Sequence, residues 1–282
     1  MNEIDYKSDV KPTWCPGCGD YGVLNSIIKA AKMLSLKPEN TVIVSGIGCS
    51  SNLPHFFNSY SLHSIHGRAV AVAEGIKFAN HELNVIVTGG DGDGYGIGLN
   101  HMIHAMRRNV DITYVVMDNE IYGLTTGQSS PTSMLGHKTK STPFGVIETP
   151  VNPIAQALSA SATYVARGFS GDPGHLAELI KGGISHKGFA LIDVFSPCVT
   201  FNKINTYDWF RKNIYKLEGN RTDDFTEAMK HAKETERLPI GLFYKTDTPT
   251  YEERDLVLKK SPLIKQDRVD NNILEKLMEE FA

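Results

Sequence analysis

The chain has 282 residues, of which 41% are hydrophobic and 22% charged, with a formal net charge of −3. That length suits one large domain, or one domain with an extension, and the near-neutral balance gives no electrostatic drive toward nucleic acid or an anionic membrane. No apolar run reaches the ~20 residues of a membrane span, and Met1–Tyr6 lacks the basic and apolar regions of a signal peptide, so the cytoplasm is the expected location.

Residues 1–20 are polar and turn-rich, ending in Trp14-Cys15-Pro16-Gly17-Cys18-Gly19-Asp20. Val23, Leu24, Ile27, Ile28, Ala31 and Leu34 then recur at helical spacing and predict a helix over 21–34. Thr41–Ser45 reads as a short apolar strand running into Gly46-Ile47-Gly48-Cys49, and the small residues of 68–80 read as a helix able to pack closely on a sheet. Strands follow at 84–88 and 112–117, with a helix over 95–108 between them. The segment 123–150 is rich in Thr, Ser, Gly and Pro and long for a plain connection, a feature of functional loops. A helix at 153–162, a strand at 164–166, a helix at 173–185 and a strand at 189–194 continue the alternation. Continuous apolar strands between helices predict an α/β fold with a doubly wound, mostly parallel sheet. Beyond Cys198 the chain turns charged and aromatic, with a strand expected at 240–244. Ile273, Leu274, Leu277, Met278 and Phe281 fall on one helical face. The expected divisions are 1–40, an N-terminal cysteine-bearing segment with the first helix; 41–198, the binding domain; and 199–282, a C-terminal extension.

The chemistry concentrates where two strands end. One runs into Gly89-Gly90-Asp91-Gly92-Asp93-Gly94, the next into Asp118-Asn119-Glu120-Ile121-Tyr122-Gly123, with Asn119 standing 28 positions after Asp91. Neighbouring parallel strands would bring both to the carboxyl edge of the sheet, where open α/β sheets bind ligands. A carboxylate and an amide oxygen suit Mg²⁺, which also takes phosphate oxygens. No Gly-Lys-Ser/Thr follows, so this is not a P-loop, and Ile97 stands where a dinucleotide fingerprint needs its third glycine.

Four cysteines complete the inventory: Cys15, Cys18, Cys49 and Cys198. With no export signal, metal ligands or buried thiols are expected rather than disulfides. One Cys-x-x-Cys knuckle plus two single residues fits zinc less well than two knuckles do, and four thiolates also match a [4Fe–4S] cluster. Spacing leaves zinc, cluster and unliganded thiols open. Cys49 and Cys198 both follow strand ends, which favours one shared site.

The Gly-Asp-Gly followed by Asn119 resembles the thiamine-diphosphate signature. Together with Cys15-Pro16-Gly17-Cys18-Gly19, Gly46-Ile47-Gly48-Cys49-Ser50, Ile65-His66-Gly67-Arg68-Ala69, Ile121–Gln128 and Ser196-Pro197-Cys198, the chain resembles the β subunit of 2-oxoacid:ferredoxin oxidoreductases, particularly the two-subunit 2-oxoglutarate branch. The resemblance covers residues 11–205. It implies that Asp91, the Asn119 side chain and the Ile121 carbonyl hold Mg²⁺, and that amides near Gly92–Tyr95 meet the diphosphate. Cys15, Cys18, Cys49 and Cys198 would ligate a [4Fe–4S] cluster. Ile47, Gly48, Cys49, His66, Gly67, Arg68, Gly90, Gly92, Asp93, Leu124 and Thr126 would surround the thiamine cofactor, with Leu124 in the position of the apolar residue that holds its bent form. Gln128 and Ser50, Ser51, Asn52 and His55 are further candidates near phosphate or substrate. The glutamate that activates thiamine belongs to another domain in this family. It is expected on an α subunit, in an α2β2 assembly, with no certain catalytic residue in this chain. The implied reaction is coenzyme A-dependent oxidative decarboxylation of a 2-oxoacid, 2-oxoglutarate ahead of pyruvate or a broad range, with electrons passing to ferredoxin; reverse carboxylation is open. Rivals are a thiamine decarboxylase or synthase without redox chemistry, and a non-catalytic zinc-bound interaction subunit. His101 and His104, at i and i+3 without a carboxylate, are expected to be packing or surface residues.

Overall fold

The computed structural model describes residues 4–266 and 271–281. Alternation at period two builds its centre. In β1 (Thr41–Ser45), Val42 and Val44 face one side of the sheet and Ile43 the other; β3 (Asn84–Gly90) repeats this with Val85 and Val87 against Ile86, and β4 (Thr113–Asp118) with Tyr114 and Val116 against Val115 and Met117. Every residue of β1 and β4 is buried, as are those of β5 (Tyr164–Phe169) and β6 (Ala190–Phe195), so both faces must be covered. Helices α2 (Ala69–Ala79), α3 (Leu99–Arg108) and α4 (Pro153–Ser159) pack one face, and α1 (Asp20–Leu34) and α5 (Pro173–Ser185) the other. The expected doubly wound sheet is present.

Among the described residues the sheet has eight strands in the order β2-β1-β3-β4-β6-β5-β8-β7, where β2 is Tyr60–His63, β7 is Ile214–Lys216 and β8 is Leu238–Lys245. The first six are parallel; β8 pairs antiparallel with β5, and β7 parallel with β8. From β1 the chain winds outward to β2, and from β3 it winds the opposite way to β4. The carboxyl ends of β1 and β3 therefore form a topological switch point, where doubly wound sheets open a crevice.

Several expected boundaries move. The helix expected over 95–108 divides into a π-helical turn at Gly92–Ile97, with non-helical backbone at Gly96, and α3. β2 and a 3₁₀ turn at Ser50–Phe56 occupy a stretch for which no element was expected. Residues after Cys198 add α6 (Tyr207–Asn213), α7 (Phe225–Ala232), α8 (Tyr251–Arg254), β7 and β8, so the change of composition there does not break the sheet. α9 (Asn271–Glu279) forms, with Ile273, Leu274, Leu277 and Met278, and Phe281 beyond it, all exposed. No helix among the described residues is long and apolar enough to cross a membrane.

His186, after α5, is buried with Nε2 2.8 Å from Thr163 Oγ1, and no partner meets Nδ1 among the described residues. Burial, then the charge of Lys245, holds its pKa below 6.5. The unfolded chain therefore binds the proton more readily, and stability is lost as pH falls below ~6.5. Thermal melting across pH 5–8 is expected to show this acid-side loss, flattened in His186→Gln; parallel profiles for the two proteins would refute it.

Candidate functional site

Three strand ends line one crevice. Ile47, Gly48, Cys49 and Ser50 follow β1; Gly90, Asp91, Gly92 and Asp93 follow β3; Asn119 and Ile121–Thr125 follow β4. With His66, Gln128 and Ser129 they enclose a cavity of about 420 Å³. The Gly92 position demands glycine, because a Cβ there would lie 2.1 Å from the Tyr122 ring. That close approach lets Tyr122 donate its hydroxyl to the Gly92 carbonyl at 3.1 Å and ties the β4 loop to the β3 turn.

Asp91 is 1% exposed. Its Oδ1 accepts from the Asn119 amide at 3.4 Å, and its Oδ2 lies 2.8 Å from Thr132 Oγ1. The same Thr132 oxygen lies 2.8 Å from Asp118 Oδ1. The single Thr132 hydroxyl is thus shared as donor between two buried acids. Burial first, and then the charge of Asp91, pushes the Asp118 carboxyl well above the usual range. Burial raises Asp91 to about 6, and burial with the charges of Asp91 and Asp193 raises Glu120 to about 8. Arg167, on β5, pairs with Asp193 at 2.7 Å and is the cation facing this cluster. Acids crowded behind Asp91 make its position costly without a counter-cation, which is a property expected of a metal site. The Asn119 side-chain oxygen accepts from the Ile121 amide at 3.0 Å, curling the loop, and the Asn119 carbonyl accepts from Asn202 Nδ2 at 3.0 Å.

A second cavity, of about 260 Å³, lies behind the first. All four cysteines line it, with Trp14, Asn52, Thr126 and Phe201 among the other walls. The N-terminal knuckle is pinned to the segment after β6 by two bonds: the Gly19 amide to the Pro197 carbonyl at 3.1 Å, and Ser196 Oγ to Asp20 Oδ1 at 2.9 Å. Trp14 Nε1 donates to the Cys49 carbonyl at 2.7 Å, bringing the third cysteine in. Burial, followed by the charge of Asp20, pushes the Cys49 thiol up to about 11, and the same two causes raise Cys18 further. Among the described residues no three His, Cys, Asp or Glu side chains are grouped to hold a single metal ion. Cys49, Asn119, Gly123 and Leu124 line both cavities, and a Cβ on Gly123 would lie 3.5 Å from Cys198 Sγ and 3.8 Å from Cys49 Sγ.

Comparison with known proteins then decides the family. Residues 46–194 match the C-terminal thiamine pyrophosphate binding domain of thiamine pyrophosphate enzymes, and 198–260 match the C-terminal part of the pyruvate ferredoxin oxidoreductase β subunit. A 2-oxoacid:ferredoxin oxidoreductase subunit β from Sulfolobus sp is 49% identical over 257 residues, 86% of this chain and 84% of the relative. The chain belongs to the 2-oxoacid:ferredoxin oxidoreductase β subunits. The 2-oxoglutarate oxidoreductase subunit KorB of Mycobacterium tuberculosis is 48% identical over 208 residues, 74% of this chain and 56% of the relative. A chain of the Magnetococcus marinus 2-oxoglutarate:ferredoxin oxidoreductase, solved with 2-oxoglutarate, coenzyme A and succinyl-CoA bound, superposes with a TM-score of 0.92 at 46% identity, covering 98% of this chain and 96% of that one.

Within this β-subunit frame the expected residues divide. Ile47, Gly48, Cys49, His66, Gly90, Asp91, Gly92, Asp93, Asn119, Ile121 and Leu124 line the larger cavity, with Ser50 and Gln128. Thr126 and Asn52 line the cysteine cavity. Leu124 is 55% exposed at the boundary of both, so it is not a core leucine. Gly67 and Arg68 line neither: Gly67 is buried with its amide on Asp93, and exposed Arg68 contacts His101. Ser51 is buried, and exposed His55 stacks on His63. Thr132, Asp118 and Tyr122 are the supporting residues that sequence reasoning did not single out; the length of the 123–150 loop was the only signal for Thr132.

Gly19 offers a direct test of how the knuckle is held. A Cβ there would lie 2.4 Å from Ser196 Oγ and 2.7 Å from the Ser196 carbonyl carbon. Gly19→Ala is expected to lower stability by about 1–3 kcal/mol, as overpacking does, read as an earlier urea midpoint. An unchanged midpoint would refute the packing described.

Proposed function

We propose that this chain holds the thiamine diphosphate and a [4Fe–4S] cluster of a 2-oxoglutarate:ferredoxin oxidoreductase completed by an α subunit in an α2β2 assembly. The observation that carries the proposal is the shared wall: one cavity suited to a metal-bridged diphosphate and one lined by four cysteines meet at Cys49, Asn119, Gly123 and Leu124. The KorB relative and the Magnetococcus structure support 2-oxoglutarate as substrate and coenzyme A as acyl acceptor.

The residues suit these groups. Asp91 and Asn119 supply hard oxygens, with the Ile121 carbonyl as a third, leaving diphosphate oxygens to complete the preferred surroundings of Mg²⁺. Gly48, Gly90 and Gly92 keep the cavity wall free of side chains. The amides of Gly92–Tyr95, at the start of a helical turn, are placed for the diphosphate. Four soft sulfur donors around one cavity suit an iron–sulfur cluster. When bound, thiamine diphosphate supplies the carbanion chemistry of 2-oxoacid decarboxylation, and an iron–sulfur cluster accepts electrons singly.

The chain's own residues do the rest. Asp91 offsets the charge of the bound cation. Tyr122 fixes the loop that carries Asn119 and Ile121. Leu124 lines both cavities and would support the bound cofactor. Cys49 faces the cofactor cavity while Cys15 is exposed, which gives electrons an inner entrance and an outer exit toward ferredoxin. The glutamate that activates thiamine is assigned to the α subunit.

The test is a panel of 2-oxoacids on the purified αβ complex, with reduction of ferredoxin followed at fixed coenzyme A. The highest kcat/KM is expected for 2-oxoglutarate. A preference for pyruvate would overturn the substrate, and absence of turnover together with bound zinc would favour a non-catalytic subunit.

A further inference from the structure

Asp93 sits in the turn after β3 and is 3% exposed. Its Oδ1 accepts from the Gly67 amide at 2.7 Å and the Ile47 amide at 3.0 Å, and lies 2.9 Å from His66 Nδ1. The carboxylate is an acceptor for all three, so Nδ1 of His66 carries a proton. Nε2 is then a bare acceptor in the neutral ring and a donor in the charged one. The ring lines the larger cavity with its side chain 40% exposed, and Nε2 makes no hydrogen bond among the described residues. Tyr122, 6.3 Å away between ring centres, Cys49 and Asp91 share the cavity lining with it as ionisable groups besides Asp93; Arg68 is turned to His101. The two amides already fasten Asp93 to both turns through Oδ1, while its buried Oδ2 meets no partner among the described residues. A histidine held at Nδ1 by a carboxylate, with Nε2 open to a cavity, is oriented for proton transfer.

We infer that His66 is a catalytic residue that exchanges a proton with the carbonyl oxygen of the 2-oxoacid, and that Asp93 is the positioning residue that sets its tautomer and direction. The inference rests on the function proposed above. As a bond forms to the 2-oxo carbon, the carbonyl π pair moves to oxygen and takes the Nε2 proton of the charged His66. When the two electrons of the oxidation leave for the cluster, the carbonyl re-forms and the hydroxyl proton returns to Nε2, and the acyl group then passes to the coenzyme A thiol. His66 ends each cycle unchanged: it carries the proton, and the electrons go to the cluster.

In the αβ complex, His66→Ala is expected to lower kcat by roughly 10²–10⁴-fold without weakening thiamine diphosphate retention, and added imidazole is expected to restore part of the rate. His66→Gln is expected to behave alike but without rescue. A readout independent of turnover is ¹⁵N NMR of the histidine-labelled full chain, where neutral His66 is expected as the Nδ1–H tautomer, shifting toward Nε2–H in Asp93→Asn. An Nε2–H tautomer in the unaltered chain overturns the inference, as does a His66→Gln complex with unaltered kcat. A wild-type complex that turns over no 2-oxoacid would instead overturn the proposed function, and the role given to His66 with it.

Discussion

Asp91→Ala is expected to abolish magnesium-dependent retention of thiamine diphosphate, with affinity falling by at least roughly 100-fold, the upper range for losing even a supporting partner of a metal ligand. The reason lies in what surrounds Asp91. It is buried beside Asp118, Glu120 and Thr132, and Arg167, the cation facing the cluster, is already paired with Asp193. Among the described residues no other carboxylate lines the larger cavity except Asp93, whose Oδ1 is occupied by two amides and His66. Asp91→Asn separates cofactor binding from folding. It keeps the shape, removes the charge that raises Asp118 and Glu120, and lets Thr132 direct its proton to Asp118. The cofactor-free protein is therefore expected to melt higher, by ~2–4 °C if the relief is worth ~1 kcal/mol, while losing the cofactor. Calorimetry of thiamine diphosphate and Mg²⁺ binding beside thermal melting checks both. A variant that binds normally would remove Asp91 as a ligand, and one that melts lower would contradict the repulsion described.

Cys198→Ser should give the complementary loss. Cys198 lines the cysteine cavity and not the larger one. The variant complex, prepared without oxygen, is expected to lose iron, sulfide and visible absorption, and ferredoxin reduction is expected to fall by roughly 100-fold or more, since one of the four thiolates proposed for the cluster is gone. Thiamine diphosphate retention should persist, because Asp91, Asn119 and the Ile121 carbonyl are untouched. Cys49→Ser is a less clean test, since Cys49 walls both cavities. The raised thiols of Cys18 and Cys49 add a condition: assembly must displace their protons, so cluster loading is expected to improve at higher pH. A Cys198→Ser protein that keeps its iron and electron transfer would remove it from the ligand set.

Much of this architecture was legible in the sequence because buried parallel strands announce themselves as apolar runs. Val85-Ile86-Val87 and Val115-Val116-Met117 have few alternatives to a covered sheet, and the turns after them display Asp91 and Asn119. β2 was not legible, because all four of its residues are exposed at the sheet edge, so neither alternation nor an apolar run marks it. The split of the 95–108 helix at Gly96 depends on how close Tyr122 and Pro131 approach, which no local pattern shows. In the site, strand-end residues were found and long-range partners were not. Thr132 reaches Asp91 from 41 residues away, and Asp93 is bound by amides 46 and 26 residues earlier. The family resemblance implies Asp93 as a neighbour of the cofactor; its bonds to Ile47, His66 and Gly67 appear only when β1 and β3 lie side by side. Arg68, two residues after His66 in sequence, was expected at the cofactor, but its side chain lies with His101 instead.

The most direct test of the central claim, that a thiamine site and an iron–sulfur site share a wall in this chain, is anaerobic single-turnover mixing of the αβ complex with 2-oxoglutarate. The visible band of the cluster would be followed in time and the reduced state identified by electron paramagnetic resonance. The account predicts substrate-dependent bleaching with a reduced-cluster signal, lost in Asp91→Ala, where the cluster remains, and in Cys198→Ser, where the thiamine cofactor remains. A complex that decarboxylates 2-oxoglutarate while its cluster stays oxidised, or that holds zinc in place of iron, would contradict it.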